Sequence, residues 1–331
     1  STSAAILQIS EYVHLSGAFA FEKGVGVSAD VKTPLGIISN VQFDTMTIGA
    51  RDVSAFFGKG GPYRTDANGD GRLDTSDPIN PNAVGLVIDD LDLAIAILQP
   101  QILGQDVGSK FFALKASANK IGLVGIDDFQ LEANLVEVNV NYASAFRTAI
   151  DFAGSLPAQG DTPAGLAVKT GTGTEPIYID FDGDQIVQAR TEGVKLRISS
   201  VIEVTGSLAF SKGETADVVL TNGQTRNVEF LTIGGANLTV FVGQHAPYWT
   251  DLDHDGTVNW VLPDGTPVTS GTVVVNGKTY GDVNNNSIVE ATETAELNED
   301  SIGIAITDVD FGLAIMDSTN PLIPGRFLAG K

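Results

Sequence analysis

No cysteine occurs in the 331 residues, which excludes disulfides. An extracellular chain of this size must then be held by its core or by metal. Histidine is nearly as scarce, at three, which leaves little for acid–base catalysis. Cationic side chains are few: Lys and Arg total 19 against 41 Asp and Glu, a net charge of −22. Such a surface repels nucleic acid and anionic membranes and favours cations. No apolar run reaches the ~20 residues of a membrane-spanning helix, so no transmembrane segment is expected. No stretch reads as a signal peptide, and the chain reads as a piece of a longer protein. Charged residues at 18% and hydrophobic residues at 43% exclude a disordered acidic tail.

What is present points to β structure. There are 37 glycines, with many Val, Ile, Thr and Phe. Leu15, Gly17, Phe19 and Phe21 share one parity, and Leu91, Leu93, Ile95 and Ile97 alternate with Asp92, Ala94 and Ala96. Period two is a strand signal. Residues 111–142 continue with breaks too short for parallel crossovers. Helix signals are thin, confined to residues 148–153 and 291–297. The expected fold class is all-β: an elongated, repeat-built antiparallel sheet, sandwich or meander, with EF-hand-like calcium loops between strands and very little helix.

The stretch Asp66-Ala67-Asn68-Gly69-Asp70-Gly71-Arg72-Leu73-Asp74-Thr75-Ser76-Asp77 has oxygen side chains at positions 1, 3, 5, 9 and 12 and glycine at 6. That is the spacing of an EF-hand-type calcium loop. The expected ligands are Asp66, Asn68, Asp70, Asp74 and Asp77, with the backbone carbonyl of Arg72. Flanking helices are excluded by Gly60, Gly61 and Pro62 upstream and by Pro78 and Pro81 downstream. The same residue types also favour plain polar turns. Three further stretches read in the same way. Residues 251–262 offer Asp251, Asp253, Asp255, Thr257 and Asn259, although Leu262 cannot ligate at position 12. Residues 282–293 offer Asp282, Asn284, Asn286, Ile288 (by its carbonyl), Glu290 and Glu293, with Ser287 in the place of the glycine. Residues 180–191 offer Asp180, Asp182 and Asp184, with Gln185 where glycine belongs and Thr191 at position 12. Ca²⁺ is the expected cofactor, in a structural role.

The second half echoes the first. Leu15-Ser16-Gly17-Ala18-Phe19-Ala20-Phe21 matches Val204-Thr205-Gly206-Ser207-Leu208-Ala209-Phe210, and Pro62-Tyr63-Arg64-Thr65-Asp66 matches Pro247-Tyr248-Trp249-Thr250-Asp251. Gly85-Leu86-Val87-Ile88-Asp89-Asp90-Leu91-Asp92 matches Gly303-Ile304-Ala305-Ile306-Thr307-Asp308-Val309-Asp310 after an insertion in the second copy. The expected units are residues 1–153, a Gly/Pro/Thr-rich linker over 154–193, and an incomplete second unit over 194–331.

The units Gly17-Ala18-Phe19-Ala20-Phe21-Glu22-Lys23-Gly24, residues 61–71, residues 85–93 and Phe111-Phe112-Ala113-Leu114-Lys115-Ala116 resemble repeats of very large secreted, calcium-binding, adhesin-like bacterial proteins. The loop alone is similar to dockerin and thrombospondin type 3 loops. The Gly-Gly-x-Gly-x-Asp nonapeptide of the RTX β-roll is absent. The resemblance implies a structural or adhesive segment, extracellular or at the cell surface, whose partners are neighbouring repeats or like chains. Two alternatives stand beside it: a calcium-dependent carbohydrate-binding module that takes surface glycans, and an apolar-groove lipid-binding protein. Tyr63, Tyr248 and Trp249 either stack on sugar or pack the loops onto the sheet. No enzyme is expected. Ser117-Ala118-Asn119-Lys120 and Lys169-Thr170-Gly171 match two boxes of serine β-lactam enzymes, but the middle element is missing. His14, His245 and His254 are expected at the surface.

Overall fold

Alternation commits a segment to a strand with two unlike faces. This chain applies that rule over unusually long segments. A computed structural model describes residues 1–102, 105–106, 110–143, 148–251, 258–268, 271–290 and 292–331. The first strands are β1 (Thr2–Ile9), β2 (Val13–Thr33), β3 (Gly36–Lys59), β4 (Val84–Ile102), the short β5 (Gln105–Asp106), β6 (Phe111–Val124) and β7 (Phe129–Ala143). Then come β8 (Ala149–Asp151), α1 (Phe152–Ser155), β9 (Leu166–Val168) and β10 (Ile177–Ile179). The second half contains β11 (Ile186–Ile198), β12 (Ile202–Val219), β13 (Thr225–Gln244), β14 (Val273–Val275), β15 (Lys278–Tyr280), β16 (Ile302–Ser318) and β17 (Arg326–Gly330).

The fold is all-β. One 13-stranded sheet runs β1-β2-β3-β4-β6-β7-β11-β12-β13-β16-β17, with β5 and β8 paired to β4 and β2 off this path. Every neighbour on the path is antiparallel. Both helix expectations are corrected. Residues 149–151 form β8, and helix begins only at Phe152. The described part of 291–297 is not helical. Among the described residues no helix is long and apolar enough to cross a membrane.

The register recurs between the halves. Phe21↔Ile48 is matched by Phe210↔Ile233, and Leu98↔Phe111 by Met316↔Phe327. Irregularities recur as well. Both halves shift register where Asp52 and Asn237 sit, and these residues take left-handed φ of 52° and 53°. Asn and Asp tolerate that conformation better than other side chains. The halves meet at β7 and β11, where Glu132 lies opposite Lys195 and Glu137 opposite Arg190. The Arg190–Glu137 pair is exposed, at 2.8 Å. Glu132 is buried, with Lys120 at 2.7 Å and Lys195 at 3.7 Å.

Residues 154–176, read from sequence as a linker, do not behave as one. They belong to a cap over one face of the first half. Ile150, Phe152, Leu166, Val168 and Ile179 join Val27, Ala29, Phe43, Ala94, Ala96, Leu98, Phe111 and Ala113 in one buried cluster. Phe43 meets Phe111 edge-on at 5.4 Å. The Asn141 side-chain amide donates to the carbonyls of Ile150 and Asp184, fastening the cap to β7. Small sheet residues let the cap backbone approach closely.

Among the described residues the opposite face has no such cover. Phe21, Ile48, Ile95, Leu114, Val140 and Val187 lie in one cross-strand row. All are half-buried or exposed.

Candidate metal centre

Loop 66–77 leaves β3 and returns to β4. Its oxygens are turned inward by short local bonds. Asp66 accepts the amides of Gly69 and Gly71 at 2.7 and 3.1 Å. Asn68 accepts from Asp70, and Asp70 from Arg72. Such bonds occur in any Asx turn. The long-range closure is more telling. Asp77, at position 12, accepts the amide of Ala67 (position 2) at 3.1 Å and of Asp74 (position 9) at 3.3 Å. One buried carboxylate thus ties both ends of the loop together. Ser76 holds the Asp74 carboxyl below the ordinary carboxylate range by hydrogen bonding.

Residues 282–293 repeat this frame. Glu293, also at position 12, accepts from Val283 (position 2) at 2.7 Å and from Glu290 (position 9) at 3.0 Å. Asp282 accepts the amides of Asn286 and Ser287 at 3.1 and 2.7 Å. Burial pushes the Glu293 carboxyl up, and the neighbouring Asp282 and Glu290 charges add to this. A bound cation would reverse that balance.

Each loop is pinned to the sheet. The Leu73 amide donates to Ser16 Oγ at 2.9 Å in a buried contact. The Asn286 side chain, fully buried, donates to the Glu192 carbonyl at 3.0 Å. The chain after each loop is also held alike. The Asn80 amide donates to the carbonyls of Gly60 and Pro62, and that of Asn298 to the carbonyls of His245 and Pro247. Loop 282–293 is therefore a structural counterpart of loop 66–77, although it lies in what reads from sequence as an insertion.

The other two candidates differ. In 251–262, Asp253, Asp255 and Thr257 lie outside the described residues. Asp251 is buried 3.6 Å from Arg197, whose other partner is Glu203. The Asn259 amide donates to the Thr250 carbonyl at 2.9 Å. In 180–191 the structure does not bring the residues together as one loop. Asp180 pairs with Lys115 at 2.9 Å and Asp184 with Lys32 at 3.9 Å. Positions 7 to 12 run along β11, where extended chain rises ~3.3 Å per residue and cannot curl around an ion.

A carboxylate group unforeseen from sequence sits beside loop 66–77. Asp52, Asp90 and Asp92 bring carboxylate oxygens within 4.8 Å of one another, a group that could hold a metal ion. Arg51 already pairs with Asp92 at 3.0 Å. Burial and the two neighbouring carboxylates push the Asp90 carboxyl up. Asp90 takes a left-handed φ of 57° at a register irregularity, so strand alternation alone does not foretell the group.

The aromatics pack the loops. Tyr63 is buried and stacks on Phe56 at 6.4 Å, and Tyr248 stacks on Phe241 at 5.9 Å. His14, expected at the surface, is buried against a cavity of about 20 Å³ lined also by Arg64 and Asp89. Its Nε2 has no hydrogen-bond partner among the described residues. His245 is exposed, and His254 lies outside the described residues.

In comparisons with protein-family models, curated proteins and solved structures, no match to this chain was found.

Proposed function

We propose that this chain is a calcium-stabilised structural or adhesive repeat segment of a large bacterial protein that works outside the cell or at its surface. The observation that supports this reading best is the shared frame of residues 66–77 and 282–293, in which a position-12 carboxylate spans the amides of positions 2 and 9. Ca²⁺ takes six to eight oxygens. Asp66, Asn68, Asp70, the Arg72 carbonyl, Asp74 and Asp77 form one candidate set. Asp282, Asn284, Asn286, the Ile288 carbonyl, Glu290 and Glu293 form the other. The ion neutralises carboxylates that repel one another in a chain of net charge −22. It also stiffens loops that clamp the sheet at Ser16 and Glu192. Affinity is expected in the ~10⁻⁴–10⁻³ M range of extracellular modules.

The carbohydrate reading loses its best aromatics, because Tyr63 and Tyr248 are engaged in packing. The lipid reading needs a groove, whereas the uncovered apolar surface is an open sheet face.

Thermal unfolding tests the proposal. At calcium ~100-fold above Kd, each site is expected to add about 2.7 kcal/mol relative to EDTA. Asp66→Ala with Asp70→Ala is expected to remove the share of the first loop. A transition that responds to neither calcium nor these substitutions would overturn the reading.

A further inference from the structure

We propose that the uncovered part of the second-half face, around Gly234 and Gly312 and beyond the buried Val228 and Met316, is a docking surface for a strand-and-cap segment like residues 129–182, supplied by a further unit of this same repeat. The first half is the template. There β6 is followed by β7, and residues 149–182 fold back over the sheet, leaving Ala20, Ala94, Ala96, Leu98, Phe111 and Ala113 between 0% and 6% exposed. The register carries this face into the second half. Ala20↔Gly49 corresponds to Ala209↔Gly234, and Gly49↔Ala94 to Gly234↔Gly312. Ala96↔Ala113 corresponds to Ala314↔Ala329. Yet Ala209, Gly312 and Ala329 are exposed, and Ala314 and Phe327 only half-buried.

The glycines carry the argument further. A Cβ on Gly49 would lie 2.1 Å from the Lys169 carbonyl oxygen, because the cap backbone rests there. A Cβ on Gly234 would meet only the Phe311 oxygen at 3.7 Å, and one on Gly312 would meet nothing within 4 Å. Glycine inside a strand weakens it, and it often marks a close approach by another backbone. Gly49 has that backbone above it. Gly234 and Gly312 keep the depression without it. The edge agrees: β6 carries β7 on its far side, whereas β17 has no strand on its far side among the described residues.

An open edge takes a strand through main-chain bonds, and pockets beside it select the side chains. The occupant therefore adds first as a strand like β7. It then lays apolar residues spaced like Ile150, Phe152, Leu166 and Val168 over the face. A lipid would cover the face without needing the edge. This inference rests on the repeat part of the proposed function and is independent of calcium.

The absence of cysteine makes a site-specific test simple. Lys331 follows β17 as Lys115 follows Leu114 in β6, with Gly312 in the place of Ala94. Residues 116–185 are appended after Lys331 in that register, and Ala314→Cys reports on the face. Alkylation of its thiol is expected to be fast in the chain as it stands and about tenfold slower, or more, in the extended chain. The same segment added as a separate peptide is expected to slow the reaction too. Adding Gly234→Val is expected to restore fast alkylation without lowering the melting temperature of the unextended chain. An alkylation rate unaltered by both forms of the segment, or protection that survives Gly234→Val, would overturn the proposal. Parallel melts with calcium and EDTA keep the readings apart. Protection without a calcium response counts against the calcium reading alone, and a calcium response without protection counts against docking alone.

Discussion

Glu132→Leu is expected to be the most damaging single substitution in the seam between the halves, costing about 3–5 kcal/mol. Glu132 is 6% exposed and faces Lys195, which is 2% exposed. Burial alone would raise the Glu132 carboxyl, but Lys120 and Lys195 outweigh it and hold the group below the usual glutamate range. Burial pushes the Lys195 ammonium down, with only partial compensation from Glu132. Leucine removes the anion that offsets part of the burial cost of the Lys195 charge. The double change Glu132→Leu with Lys195→Met is expected to recover much of the loss, because an apolar pair of similar volume needs no desolvation. The pH dependence has a definite sign. Glu132 titrates lower folded than unfolded, so its contribution is complete above the ordinary glutamate range and is lost as pH falls through its folded value. Lys195 also titrates lower folded than unfolded. The deficit of Glu132→Leu is therefore expected to shrink as pH rises toward the ordinary lysine value of about 10.4. Denaturant unfolding of the three chains from pH ~3 to pH ~10 checks both statements, the acid limb for Glu132 and the alkaline limb for Lys195. A deficit that is independent of pH would mean that packing, not charge, sets the cost.

Gly49→Val is expected to cost about 3 kcal/mol or more, at the upper end for an overpacked core. The nearest atom to a new Cβ, at 2.1 Å, is a main-chain oxygen of the cap, and main chain cannot turn aside as a side-chain tip can. The cap must lift, uncovering Ala94, Ala96 and Leu98, all 0% exposed. Gly234→Val, at the same register in the second half, is expected to be near neutral or mildly stabilising, since valine suits a strand. Two identical substitutions with opposite outcomes would be hard to explain by strand propensity. Hydrogen exchange is expected to rise across β9 and β10 in Gly49→Val. Equal effects at both glycines would contradict the assignment of the cap.

Why some of this was legible in the sequence and some not has a physical answer. Period two is a local property, so the strands around Leu15 and Ile95 and the antiparallel pairing of short-linked segments could be read directly. That residues 66–77 form a loop between two strands was legible because Asp, Asn and Gly spacing is also local. The cap was not, because Gly160, Pro163, Gly165, Gly171 and Gly173 dominate its composition. Its apolar content is a few residues, Leu166, Val168, Ile177 and Ile179, whose partners lie far away in the chain. Residues 180–191 misled for the opposite reason. Their spacing fits a loop, but from Ile186 the chain is taken up by β11 between β7 and β12, and tertiary pairing overrides the local pattern. His14 looked like a strand-end surface residue and is covered by a loop whose docking no local rule foretells. The Asp52, Asp90 and Asp92 group depends on register across two strands, which sequence spacing does not encode.

The most direct test of the account is the number of calcium ions bound, measured by titration calorimetry on the full chain and on Asp77→Ala, Glu293→Ala and the double variant. Each closing carboxylate spans two amides of its own loop and, in the proposed function, would supply the position-12 ligand. Each single substitution is therefore expected to remove one ion from the wild-type count, and the double substitution two, with the sheet intact by circular dichroism. Counts that stay at the wild-type value in all three variants would contradict the central claim that residues 66–77 and 282–293 are calcium loops.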